Sequence, residues 1–169
     1  MANTYVLIEG KTLSSAVASV TFTSIPQTYT DLQLVLSTRA TQNVGRELLR
    51  VYPNGSTTSN DRIILFGYDT AGADRGVDTD KYIGWQSGNS TTANTFSSAS
   101  LYFPSYTSGN YKLYSADATA ENNSSSSWVM NISNTVWSNN SAITSIEIAC
   151  ETSTFAVNST FYLYGIKNS

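Results

Sequence analysis

The chain has 169 residues, only 12% of them charged, and a formal net charge of −3. That length fits one domain able to bury a sizeable core without disulfides or metal. The nine Lys and Arg form no block and leave no electrostatic footprint for a nucleic-acid backbone, and the absence of histidine excludes Ser-His-Asp, Cys-His and His-metal arrangements.

The segment Tyr5–Glu9 reads as a first strand, continuing loosely to Leu13. Ala16–Thr23 alternates Ala18, Val20 and Phe22 against Val17, Ser19 and Thr21 and reads as a second. Pro26 falls in the connection that follows, where its missing N–H breaks no ladder bond. Thr28, Thr30 and Asp31 suit a turn, because their side-chain oxygens accept from nearby backbone N–H groups. Over Thr30–Thr38, Leu32, Leu34 and Leu36 alternate with Gln33, Val35 and Ser37, so one face is apolar throughout and a core strand with fixed register is expected.

Arg46–Tyr52 is the next expected strand, ended by the turn Pro53-Asn54-Gly55-Ser56. Arg62–Tyr68 carries the continuous run IILFGY, which predicts a short strand buried on both faces. Asp69–Asp80 reads as a Gly/Asp-rich loop, and Lys81–Gln86 as a short strand bearing Trp85. Thr95–Phe103, Tyr111–Ala120, Trp128–Val136, Ile143–Cys150 and Thr160–Lys167 complete the series. In the last strand Tyr162 and Tyr164 flank Leu163, so one set faces the core and the other is placed to meet a partner.

About ten or eleven short strands result, separated by turn chemistry, and no stretch has a helical apolar period. The number exceeds a seven-stranded immunoglobulin core, and the Cys…Trp…Cys framework is missing. The expected fold is an all-β, antiparallel jelly-roll-type β-sandwich, a single domain over residues 1–169. An apolar fraction of 40% offsets the ordering entropy that low charge would otherwise leave uncompensated. The surface is neutral and rich in hydroxyls and amides, as in particle-borne or extracellular proteins that meet other proteins or sugars. The opening MANTYVLIEGKTL lacks a basic n-region and a long apolar stretch, so no leader peptide is expected. No apolar run approaches the ~20 residues of a membrane span.

Four constellations merit weighing. Asp69, Asp74, Asp78 and Asp80 share one segment and offer oxygens to a hard cation, but EF-hand spacing is absent and Arg75 and Lys81 lie among them; turn chemistry is the preferred reading. Glu47, Glu121, Glu147 and Glu151, with those aspartates, supply carboxylate pairs of the kind glycosidases use, by number alone and without a defining pattern. Cys150, the only cysteine, keeps step with Ile146 and Ile148 and is expected to be a buried small apolar residue. Trp85, Trp128, Trp137 and eleven tyrosines suit sheet packing, with a sugar-binding or protein-binding face as the other use of such rings. No catalytic, cofactor-binding or metal-binding residue is assigned, and an enzyme is not expected.

The segments Ile25–Asp31 (IPQTYTD), Asn94–Phe96 with Leu101–Tyr106 (NTF…LYFPSY), Glu121–Asn123 (ENN), Trp137–Ile146 (WSNNSAITSI) and Phe161–Asn168 (FYLYGIKN) resemble a family of tailed-bacteriophage virion proteins. The resemblance runs from near residue 4 to the C-terminus, and its most recognisable piece is the closing LYGIK. These motifs mark strands and turns, so no functional residue is carried over. The resemblance implies a small jelly-roll-like structural protein of the virion, on the outer capsid surface as a decoration (cement) protein. It further implies the major capsid protein as partner and a homotrimer as the assembly. The alternative is a tail-fibre or receptor-binding module that reads host-surface glycans through a Tyr/Trp face. A glycan depolymerase would require a placed carboxylate pair.

Overall fold

The computed structural model describes residues 4–58, 60–68, 70–76, 81–121 and 128–167. Its strands are β1 (Tyr5–Thr12), β2 (Ser19–Phe22), β3 (Asp31–Thr38), β4 (Arg46–Pro53), β5 (Asn60–Tyr68) and β6 (Thr70–Gly76). They continue with β7 (Tyr82–Ser87), β8 (Ser97–Phe103), β9 (Lys112–Ala120), β10 (Val129–Trp137), β11 (Ile146–Cys150) and β12 (Thr160–Ile166). The fold is all-β, two antiparallel sheets packed as a sandwich. One sheet has eight strands in the order β1-β12-β3-β8-β9-β10-β5-β6, and the other has four in the order β2-β11-β4-β7.

The two sheets share chain segments by interleaving. β1 and β3 lie in the large sheet and β2 and β4 in the small one; later, β7 and β11 lie in the small sheet and β8 and β12 in the large one. The remaining strands, β5, β6, β9 and β10, all lie on one side of the large sheet and extend it beyond β8.

The core lies between the sheets. Leu32, Leu34 and Leu36 of β3 are buried and pair in register with Phe103, Leu101 and Ala99 of β8 and with Gly165, Leu163 and Phe161 of β12. Facing them are Val20 and Phe22 of β2, Ile146, Ile148 and Cys150 of β11, and Leu49 and Val51 of β4. Each fully buried aliphatic side chain contributes roughly 1.5–3 kcal/mol, so this layer fixes the register of every strand through it. The turn after β4 is built as its residues require: Asn54 and Gly55 have φ of 50° and 66°, and Ser56 N–H closes on Pro53 O at 2.9 Å.

Two expectations change. Thr70–Gly76, within the expected Asp69–Asp80 loop, is strand β6, paired with β5 from Arg62↔Gly76 to Tyr68↔Thr70. Its small and acidic residues have little strand preference, and pairing with β5 at the sheet edge overrides that. The β5 run is buried on one face only: Ile64 is 2% exposed, whereas Ile63 and Leu65 are each 59% exposed. The Asp31 carboxylate ties the start of β3 to the β8 side of the sheet, accepting from Ser105 N at 2.8 Å and from the Tyr102 hydroxyl at 2.7 Å.

Candidate interaction surface

The four added strands have inverted amphipathicity, and the open edge of the small sheet explains why. β7 hydrogen-bonds within its sheet to β4 alone. A bulge between the Leu49↔Gly84 and Arg50↔Tyr82 pairs leaves Ile83 out of the ladder. The Ile83 carbonyl still needs donors where water is excluded. Asn131 Nδ2 donates to it at 2.9 Å and Ser133 Oγ at 3.1 Å, both from β10. The positions of β10 that face inward are therefore the polar ones: Asn131, Ser133 and Thr135 are all buried. On β9 the buried set is Lys112, Tyr114 and three alanines, Ala116, Ala118 and Ala120.

Period two then turns the large aliphatic residues outward. Ile63 and Leu65 on β5, Met130 and Ile132 on β10 and Leu113 on β9 are each at least half exposed. Leu65 stands directly opposite Ile132, and Met130 opposite Gly67. Ala71 and Ala73 of β6 pair with Gly67 and Leu65 and continue the same face. A shallow groove of about 220 Å³ runs between Leu65, Gly67, Met130 and Ile132. Charges flank the stripe on opposite sides: exposed Arg75 on β6, opposite Ile63, and exposed Asp117 on β9, opposite Ile132. Trp128, just ahead of β10, is also exposed. Elsewhere on the outer face Gln33 donates to Ser100 at 3.1 Å and Tyr102 to Asp31, beside exposed Leu7 and Val35.

Behind this face, where β5 and β6 overhang β7, a cleft of about 260 Å³ opens. Its walls are Arg46 and Leu48 of β4, Arg62, Ile64 and Phe66 of β5, Asp74 of β6, and Tyr82 and Trp85 of β7. Phe66 meets Trp85 edge-on at 5.4 Å between ring centres. Buried Arg62 pairs with Asp74 at 3.1 Å and lies over the Tyr82 ring. The Tyr82 hydroxyl donates to Glu151 at 2.5 Å, and this bond raises the phenol's pKa. Arg50 closes the set, donating to Glu151 at 2.7 Å and to the Tyr82 oxygen at 3.0 Å.

The candidate carboxylates are placed individually. Glu47 is buried and accepts the N–H groups of Thr152 and Ser153 at 2.8 and 2.9 Å, which makes it the clamp of the turn after β11. Glu151 belongs to the Arg50–Tyr82 set. Asp74 is engaged by Arg62, while Asp69, Asp78 and Asp80 lie outside the described residues. Among the described residues no group of three or more His, Cys, Asp or Glu is placed to hold a metal ion. Cys150 is buried as expected, with its thiol pushed up to about 12 by desolvation. The tryptophans divide three ways: Trp85 in the cleft, Trp128 exposed just ahead of β10 and Trp137 in the interior. Leu163 is buried and Tyr162 and Tyr164 are half-buried on the outer face, with the Tyr162 ring seated over Gly10.

Sequence reasoning missed the outward set of Ile63, Leu65, Leu113, Met130 and Ile132. A signal was present in the strand Val129–Trp137, where Asn131, Ser133 and Thr135 alternate with Met130, Ile132 and Asn134. Alternation defines two faces without saying which is inward, and the hydrogen-bonding demand of Ile83 decides it. Comparison of the chain with protein-family models, with curated proteins and with solved structures finds no match.

Proposed function

We propose that this chain is a structural protein of a bacteriophage particle, acting as a capsid decoration (cement) protein that binds the outer shell and stabilises it. The observation that carries the reading is the outward apolar face of β9-β10-β5-β6. A folded chain that turns five large aliphatic side chains to solvent and keeps amides and hydroxyls inside is suited to being covered by protein. Glu47, Glu151 and Asp74 are each held in a turn or an ion pair, which favours assembly over catalysis at those positions.

Strand order supports a jelly-roll reading of the body. Without β5, β6, β9 and β10, eight strands remain, ordered first-eighth-third-sixth in one sheet and second-seventh-fourth-fifth in the other. That interleaving supports a jelly-roll reading, and jelly rolls serve as capsid and lectin domains. The support is analogy at the level of fold, and it agrees with the sequence resemblance to virion proteins. The major capsid protein as partner and the homotrimer as assembly come from that resemblance. A specific contact would bury on the order of 1,000 Å² or more, and repetition around a symmetry axis adds avidity.

The test is co-sedimentation of the purified protein with shells stripped of it. Saturation at a copy number set by shell symmetry, with shells gaining resistance to heat or low salt, is the expected result. Absence of saturable binding would overturn the reading.

The cleft favours a second reading, a tail-fibre or receptor-binding module for host-surface glycans. Trp85 and Phe66 offer ring faces and edges, and Arg46 and Arg62 offer donors to hydroxyl or carboxylate oxygens. Trp fluorescence that changes saturably with host polysaccharide, and that Trp85→Phe abolishes, would support it. No change together with tight shell binding would remove it.

A further inference from the structure

We infer that the outer face of β9-β10-β5-β6 is the surface by which copies of this chain bind one another. The inference rests on the reading that this face is covered by protein, and it names the occupant as a second copy. Leu65, Ile132, Met130 and Ile63 form the centre, with Leu65 and Ile132 directly opposite across the strand pair. Half-exposed side chains in this number, with exposed Ala71 and Ala73 beside them, make one contiguous apolar patch of the kind that marks an interaction site. A standard interface needs ~800 Å² per partner, which calls on the polar flanks as well as the apolar centre.

The flanks identify the partner by charge. Arg75 lies on the β6 side of the stripe and Asp117 on the β9 side, both exposed. When the β6 flank of one copy meets the β9 flank of the next, each contact joins a guanidinium to a carboxylate around an apolar centre. Such a contact joins different parts of one face, and repeated around an axis it closes a ring. The same meeting of like flanks would set Arg75 against Arg75 and Asp117 against Asp117, which the charges oppose. The copies then cover the apolar face among themselves, and the closed assembly rather than the single chain is what meets the shell, with the avidity that repetition adds.

Sedimentation equilibrium of the full chain tests the inference. The wild type is expected to be a closed oligomer at micromolar concentration. Ile132→Asp is expected to be a single chain with an unchanged circular dichroism spectrum, because Ile132 supports no core contact on its own sheet face. Arg75→Asp and Asp117→Arg should each weaken association by about tenfold or more, and the double exchange should restore it to within a few-fold. A monomeric wild type, an Ile132→Asp protein that still associates, or a double exchange no better than the singles would overturn it. A monomer that binds shells would refute this inference and leave the proposed function standing; an oligomer of the expected kind that binds no shell would do the reverse.

Discussion

Asn131 holds the place that a side chain on Gly84 would occupy. Its Nδ2 donates to Ile83 O at 2.9 Å, and its Oδ1 lies 2.4 Å from where a Cβ on Gly84 would stand. The two residues belong to different sheets, so this contact ties the added strands to the body of the sandwich. A methyl at position 84 also meets Ala118 Cβ at 2.7 Å, and the φ of 156° there suits glycine. Gly84→Ala should cost about 2–4 kcal/mol. Asn131→Ala should cost about 1–3 kcal/mol, since Ser133 remains as a donor to the same carbonyl. Urea unfolding read at the midpoint, with the slope unchanged, measures both.

Arg39 organises the connection between β7 and β8 from within. Its guanidinium is buried and donates to Thr91 Oγ1 at 2.9 Å and to the carbonyls of Asn89, Thr91, Thr92 and Thr95 at 2.7–3.2 Å. A lysine ammonium has too few donors and the wrong shape for this set. Arg39→Lys should lose about 2–4 kcal/mol. Amide exchange of residues 89–95 should accelerate more than that of β3.

Neighbouring Ile63 and Ile64 should respond in opposite ways. Ile64→Ala removes a buried side chain and should cost about 2–4 kcal/mol. Ile63→Ala removes an outward one and should change the stability of the single chain by no more than about 0.5 kcal/mol. Thermal melts of the two variants in the Ile132→Asp background separate folding from association.

Alkaline stability is set partly by two raised acids. Tyr102 is pushed from 10.0 up to about 12, first by its hydrogen bond to Asp31 and then by burial. Desolvation pushes Cys150 from 9.0 up to about 12. A raised folded pKa means that the native state holds its proton more tightly, so the stabilisation is complete below the unfolded pKa and is lost as pH rises through the folded one. Stability should fall from about pH 9 to about pH 12. Tyr102→Phe should flatten the pH 10–12 portion and Cys150→Ala the portion from pH 9, as read by denaturant unfolding across that range.

Much of the body was legible because its signals were local and agreed. The β3 leucines, the Asn54-Gly55 turn and the burial of Cys150 all follow from period, turn chemistry and size. β6 was not legible, because Thr70–Gly76 is a strand only by virtue of its pairing with β5. The exposed side of β5 was not legible either. IILFGY carries apolar residues on both faces, and only the contacts behind Ile64 show which side is covered. The candidate surface depends on a long-range demand, the Ile83 carbonyl on the outer edge of β7, which no window of sequence contains.

Met130 provides the most direct measurement of the central claim, that the outer face of β9-β10-β5-β6 is covered in the working assembly. It is half exposed on that face, and the only other methionine is Met1. Peroxide oxidation of Met130, followed by peptide mass spectrometry, should be slowed about tenfold or more in the assembled protein relative to the Ile132→Asp single chain. Equal oxidation rates in the two would contradict the account.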